Sequence, residues 1–155
     1  MNAAVPTLRR ALDADRSAIV ALLAGCGLSA HAVLAPGTLY WVGCTEDAVV
    51  GVCGLEPGDG CALLRSVAVA PAQRGQGVAR RLIDAALAEA ARRGLHEVCL
   101  FSKDTGACFE RLGWREVPVV SVARRLPRAP QVMHYEASGW YADERAFARP
   151  AAPLP

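Results

Sequence analysis

A strand that runs straight into a glycine-bearing, basic turn and out into a long amphipathic helix narrows what this chain can fold into. The segment is Leu64-Arg65-Ser66-Val67-Ala68-Val69-Ala70-Pro71-Ala72-Gln73-Arg74-Gly75-Gln76-Gly77-Val78-Ala79-Arg80-Arg81-Leu82. Up to Ala70 it is apolar and β-branched; from Val78 to Arg93 its apolar residues recur at helical spacing, with Val78, Leu82, Ile83, Ala86, Leu87 and Ala90 on one stripe. Gly94 is placed to end that helix. The first amides of a helix have no internal partner, and the peptide dipoles leave about half a positive charge there. Arg74, Arg80 and Arg81 add cationic charge, so the turn is suited to an anion such as a phosphate. Two familiar phosphate loops do not fit. No GxxxxGK followed by Ser or Thr occurs, nor GxGxxG after a βαβ pattern.

What precedes the loop reads as an antiparallel meander. A short strand is expected at Pro6–Arg10, then a helix capped by Asp13 or Asp15 and running to about Ala24. Leu28–Gly37 reads as a short helix or loop. Strands follow at Thr38–Thr45, Ala48–Leu55 and Cys61–Ala70, joined by Glu46-Asp47 and by Pro57-Gly58-Asp59-Gly60. Beyond the long helix, His96–Phe101 reads as a buried strand, Thr105–Leu112 as a short helix and Trp114–Val119 as a strand. Arg124–Arg128 is loop-like, Gln131–Glu136 is expected as a last strand, and residues 146–155 as a Pro/Ala-rich tail outside a domain spanning 1–145.

Composition sets limits on partners. Apolar residues make up 53% and charged residues 21% of the 155, which is globular. A net charge of +2 without a basic run gives no footprint for nucleic acid. No apolar run approaches the ~20 residues of a membrane span, and the opening Val5-Pro6-Thr7-Leu8 lacks a signal-peptide core. A cytoplasmic location is therefore expected. The six cysteines, Cys26, Cys44, Cys53, Cys61, Cys99 and Cys108, include no CxxC pair, so no metal site is drawn and the thiols are read as reduced, mostly buried small hydrophobes. Trp41, Trp114 and Trp140 read as core or interface packing.

Arg74-Gly75-Gln76-Gly77-Val78-Ala79 resembles the acyl-CoA signature of the GNAT N-acetyltransferase superfamily: Gln or Arg, two residues, Gly, one residue, then Gly or Ala. It follows a Val-Ala-Val-x-Pro strand end, as in that family. Ala107-Cys108-Phe109-Glu110-Arg111-Leu112-Gly113-Trp114 is similar to the family's second landmark, a short helix followed by Gly and an aromatic. The resemblance covers about Thr7 to Val119. It implies one α/β (α+β) domain with a mixed, mostly antiparallel twisted sheet of six or seven strands and about four flanking helices, splayed between strands 61–70 and 96–101. It also implies acetyl-CoA as co-substrate, without a metal. The pyrophosphate would rest on amides from Arg74 to Ala79 (Arg74, Gly75, Gln76, Gly77, Val78, Ala79), with Arg80 beside it. Pantetheine would bond main-chain groups near Val67, Ala68 and Val69, and Ser102, Cys108 and Phe109 would line the thioester end.

Acetyl transfer to an amine needs a base for the amine, a donor for the carbonyl oxygen and a proton for the leaving thiolate. Glu56 is the candidate base, with an ordinary turn glutamate as the alternative. An amide near Val67 or Ala68 would polarise the carbonyl. The tyrosine that the family uses as acid falls on Phe109, which leaves Cys108, Tyr135, His134 or water. Arg65, a charge among apolar neighbours, is expected either to bind an acceptor carboxylate or, as the plainer alternative, to make a cross-strand ion pair or lie on a solvated face. Gly54-Leu55-Glu56-Pro57 with Leu64–Val69 resembles the amino-acid N-acetyltransferase branch, which includes N-acetylglutamate synthase-type domains and acetyltransferases found with arsenic-resistance genes. Its members also tend to carry phenylalanine at the position of Phe109. The acceptor implied is a small amino-acid-like amine. A non-catalytic acetyl-CoA sensor and a protein lysine or N-terminal acetyltransferase are the alternatives, and a homodimer stays open.

Overall fold

The computed structural model describes residues 4–46, 48–139 and 143–152. Asp47 of the expected Glu46-Asp47 turn, Trp140 and the last three tail residues lie outside them. The strands are β1 (Thr7–Arg10), β2 (Leu39–Thr45), β3 (Ala48–Pro57), β4 (Cys61–Val69), β5 (Glu97–Phe101), β6 (Arg115–Val117) and β7 (Ala146–Pro150). The helices are α1 (Arg16–Gly25), α2 (Val78–Arg92), α3 (Gly106–Arg111), α4 (Val119–Arg125) and α5 (Pro130–Ser138), with 3₁₀ turns at Asp13–Asp15 and Pro71–Gln73. Together the strands make a seven-stranded sheet of order β1-β2-β3-β4-β5-β7-β6. It is antiparallel wherever its register is defined except at β4–β5, so the mixed, mostly antiparallel sheet is as expected. No helix among the described residues is long and apolar enough to cross a membrane.

The chain forms two compact units, residues 1–55 with 66–86, and residues 56–65 with 87–155. In the first, β1, β2 and β3 form the meander, and Ile19 and Leu23 of α1 pack with Tyr40, Val42, Val52 and Ala68. Asp15 organises the start of α1: its carboxylate accepts from the Leu12 amide at 2.7 Å and from both arms of Arg9 at 2.8 Å. Gly51 lets α2 approach β3, since a β-carbon there would stand 3.0 Å from Val78 Cγ1 and from Leu82 Cδ1. The β2–β3 turn lacks a glycine, and Glu46 takes up the left-handed conformation itself, at φ 52°.

In the second unit β7 lies between β5 and β6, antiparallel to both. Cys61, Leu63 and Cys99 pack with Val122, Leu126 and Val132 from α4 and α5 and with Ala146 and Ala148 from β7. The sequence reading is corrected in three places here. Residues 146–150, expected in the tail, are an interior strand: Ala146, Phe147 and Ala148 are fully buried, and Pro150 falls at the end of the ladder, where a missing N–H does least harm. Residues 131–136, expected as a strand, lie in α5, which starts on Pro130 and ends on Gly139 at φ 70°. Residues 119–125, whose ends fell in an expected strand and an expected loop, form α4, so the described residues hold five helices where about four were expected.

The cysteines also divide by environment. Cys53, Cys61 and Cys99 are buried, Cys26 and Cys44 half-buried, and Cys108 exposed. Burial pushes the Cys99 thiol up to about 12 and raises Cys61 and Cys53 as well. These three are inert packing groups.

Candidate active site

The helix start and its loop belong to the first unit. Ala70 donates to Val50 O at 2.8 Å, which fixes the end of β4 before the chain turns through Pro71–Gln73. Gly75 and Gly77 both stand at φ 78°, and a β-carbon on either would meet nothing within 4 Å. The loop is therefore open above its glycines. Arg81 N bonds Gly77 O at 3.1 Å, the first turn of α2. Val78 is 2% exposed and anchors that turn, whereas Gly75, Gln76, Gly77 and Arg80 are exposed. Left-handed residues alternating with ordinary ones are a backbone pattern from which anion-binding concavities are built. These residues fit a diphosphate.

Two of the three arginines do other work. The Arg74 guanidinium turns back onto β4, donating from Nε to Val69 O at 3.0 Å and lying 3.6 Å from Cys26 Sγ. Arg81 donates to Pro6 O at 2.9 Å. The Cys26 thiol also points at Val69 O, at 3.8 Å, so that carbonyl already serves two donors from its own unit. Ser66 departs from strand geometry at φ 57°, a left-handed position costing on the order of 1–3 kcal/mol for a residue with a side chain. No glycine or proline marks it, so sequence reasoning missed it.

A buried polar cluster organises the second unit. Glu56 and Arg65 are 1% and 5% exposed and form an ion pair, Oε2 to Nη1, at 3.0 Å. The other Glu56 oxygen accepts the Gln131 amide at 3.0 Å, in the first turn of α5. Both oxygens of the expected base are thus engaged, and the cross-strand alternative for Arg65 is the arrangement seen. Gln131 continues the chain of contacts: Nε2 lies 3.4 Å from the Tyr135 hydroxyl, while Oε1 is buried without a hydrogen-bond partner. The Tyr135 ring lies 5.2 Å from that of Phe101. Desolvation, and next the Glu144 charge, push the Tyr135 phenol up to about 12. Desolvation likewise raises the Glu144 carboxyl above its ordinary value, against the opposing pull of the Arg145 amide and the Tyr135 hydroxyl.

The remaining predicted residues are in the same unit. The Ser102 amide donates to Arg145 O at 2.8 Å and its hydroxyl pairs with that of Thr105. Cys108 is exposed on α3, unlike the mostly buried thiols expected from the sequence. Phe109 meets Trp114 edge to face at 5.8 Å between ring centroids. Parallel pairing of β4 with β5 runs from Cys61↔Glu97 to Leu64↔Leu100. Arg65 on β4 and Phe101 on β5 are the next residues past that last pair, and both belong to the Tyr135 cluster. Sequence reasoning named Tyr135 but missed Gln131 and Glu144, because α5 was expected as a strand and the approach to β7 as loop.

A family model described as an acetyltransferase (GNAT) domain matches residues 36–116, more than half of the chain. Solved structures share the fold. A GNAT-family acetyltransferase from Staphylococcus aureus aligns at TM-score 0.74 and 13% identity over 95% of this chain and 99% of its own. N-acetylglutamate synthase from Neisseria gonorrhoeae, complexed with coenzyme A and N-acetyl-glutamate, aligns at TM-score 0.74 and 18% identity over 98% of this chain, which spans 36% of that longer protein. A Mycobacterium tuberculosis protein in complex with CoA aligns at TM-score 0.70 and 23% identity over 92% of this chain and 98% of its own. With this sheet order and a family model matching more than half of its length, the chain belongs to the GNAT acetyltransferases and is an acetyl-CoA-dependent N-acetyltransferase.

Proposed function

We propose that the protein acetylates the primary amine of a small, amino-acid-like molecule by direct transfer. The observation that carries this reading is the pair of left-handed glycines opening α2, with their exposed amides. Acetyl-CoA, when bound, supplies the activated acetyl group. On this reading the amides from Arg74 to Ala79 hold its diphosphate, and Arg80 adds a cation at the surface. Main-chain groups at Val67 and Ala68 take the pantetheine and the acetyl oxygen, with Ser102, Cys108 and Phe109 towards the thioester.

The acceptor side is read from the second unit. Residues 119–125 and 130–138, between β6 and β7, form α4 and α5, and Val122, Leu126 and Val132 are fixed in a core. Arg65, Tyr135 and Glu144 supply both charge signs, as a zwitterionic small molecule needs. An amino-acid ligand also appears in the Neisseria relative, solved with N-acetyl-glutamate. Glu56 serves this side by holding Arg65 and the first turn of α5.

Steady-state release of coenzyme A is the test, with amino acids, polyamines, aminoglycosides and lysine-bearing peptides as acceptors. Turnover with amino acids over peptides is expected. Turnover with peptides alone would move the assignment to protein acetylation. Phe109, which carries no exchangeable proton, favours a second reading as an acetyl-CoA-binding module without transfer. Calorimetric binding of acetyl-CoA with no turnover for any amine would establish that one.

A further inference from the structure

We infer that Arg74 is a positioning residue for acetyl-CoA: its guanidinium braces the glycine loop against the end of β4, and it acts through the Nε–H it donates, not through its charge. The inference rests on the reading that the amides from Arg74 to Ala79 hold the diphosphate.

The brace lies wholly in the first unit. β4 ends at Val69, and the Ala70 amide, bonded to Val50 O at 2.8 Å, holds that end against β3. The chain then makes a 3₁₀ turn, with Gln73 N on Ala70 O at 2.8 Å and Arg74 N on Pro71 O at 3.3 Å. Arg74 leaves the turn extended, at φ −71° and ψ 155°. Its side chain folds back across the turn, and Nε donates to Val69 O at 3.0 Å. That bond closes a ring from residue 69 to residue 74. It fixes the point from which Gly75 and Gly77, both at φ 78°, carry the chain into α2. Glycines are free to leave such a conformation, so the loop keeps it only where the flanking chain is restrained. A loop that is competent for part of the time binds its ligand more weakly in proportion.

The end of α1 supports the same brace. Cys26 directly follows α1, and its amide bonds Leu22 O and Leu23 O, both at 3.1 Å. From there its Sγ lies 3.6 Å from Arg74 Nη2 and 3.8 Å from Val69 O. The guanidinium is thus held by Nε on β4 and by Nη2 on the residue after α1. Arg81 is tied to Pro6 O. Arg80, on the first turn of α2, is exposed and makes no side-chain hydrogen bond or ion pair among the described residues. Its charge, not that of Arg74, is the one left for an anion.

The donor atom decides which side chains can replace Arg74. Arginine Nε is bonded to Cδ. Glutamine Nε2 is also bonded to Cδ, the same number of bonds from the backbone, and it donates without a charge. Lysine has a methylene at that place, and its ammonium, although charged, lies one bond further out. A brace therefore ranks Gln above Lys, whereas a charge facing the diphosphate ranks Lys above Gln.

The test is calorimetry of acetyl-CoA and of S-acetylpantetheine, which lacks the diphosphate, with wild type, Arg74→Met, Arg74→Gln and Arg74→Lys. Arg74→Met is expected to weaken acetyl-CoA by about tenfold or more, the worth of one charge-assisted hydrogen bond, and to leave S-acetylpantetheine within about twofold. Arg74→Gln should rescue most of that loss and Arg74→Lys little of it. In turnover the KM for acetyl-CoA should carry the change, with kcat within a few-fold. Wild-type affinity in Arg74→Met, or better rescue by Lys than by Gln, overturns the inference. So does an equal loss for both ligands, which marks a general disturbance of the fold. A wild type that binds the two ligands equally overturns the reading beneath it instead.

Discussion

A β-carbon at residue 77 would occupy open space, yet it would force an L-residue into the left-handed region at φ 78°. Gly77→Ala should therefore cost roughly 1–2 kcal/mol in urea denaturation, although it touches nothing. A backbone that relaxes to escape that strain swings its amides away, so acetyl-CoA binding should weaken about tenfold or more in the same variant. Glu56 presents the opposite situation, with every contact already made. Truncating it to Ala removes the buried ion-pair partner of Arg65 and should destabilise by about 3–5 kcal/mol. Glu56→Ala combined with Arg65→Met should recover much of that loss, and a double-mutant cycle on denaturation midpoints measures the coupling. At this scale the glycines were legible because only glycine takes that conformation freely. The base was not. A carboxylate after a strand looks the same in sequence whether it faces a substrate or caps a helix 75 residues away.

Elements were readable in proportion to how local their signals are. The meander, α2 and β5 follow from periodicity and turn residues within a dozen positions. β7 has no such signal: Ala-Phe-Ala-Arg-Pro shows no alternation because β5 and β6 pair on both sides of it and its residues are buried. Truncation after Arg145 should therefore do more than shorten a tail. It removes the strand between β5 and β6, and near-ultraviolet circular dichroism of the shortened chain should show loss of the fixed aromatic environment around Trp114, which leads into β6. An unchanged spectrum would contradict the interior placement of β7. α5 did leave a signature, Pro130 at its first residue and Gly139 just past its last, but the apolar residues between them are too few to assert a helical period.

At the scale of the whole molecule, the described residues include one core beneath α1 and another beneath α4 and α5. Acid should reach the first through Asp15, whose carboxyl is held down to about 2 by Arg9 and by the Leu12 amide. A carboxyl depressed in the folded state stabilises fully above its unfolded value, near 3.8, and the contribution is lost as pH falls towards 2. Asp15→Asn should thus be less stable than wild type at pH 7, and the gap should close between about pH 4 and 2 in denaturation series at stepped pH.

The claim on which the account depends is that the amides around Gly75 and Gly77 hold a diphosphate, and calorimetry with two ligands tests it most directly. Acetyl-CoA and S-acetylpantetheine share the acetyl thioester and the pantetheine arm; only the first carries the diphosphate. At ~1.5–3 kcal/mol for each hydrogen bond to a charged group, two such bonds alone predict at least a hundredfold tighter binding of acetyl-CoA. Gly77→Asp should erase that advantage and leave S-acetylpantetheine unaffected. Equal affinities for the two ligands in the wild type would contradict the account.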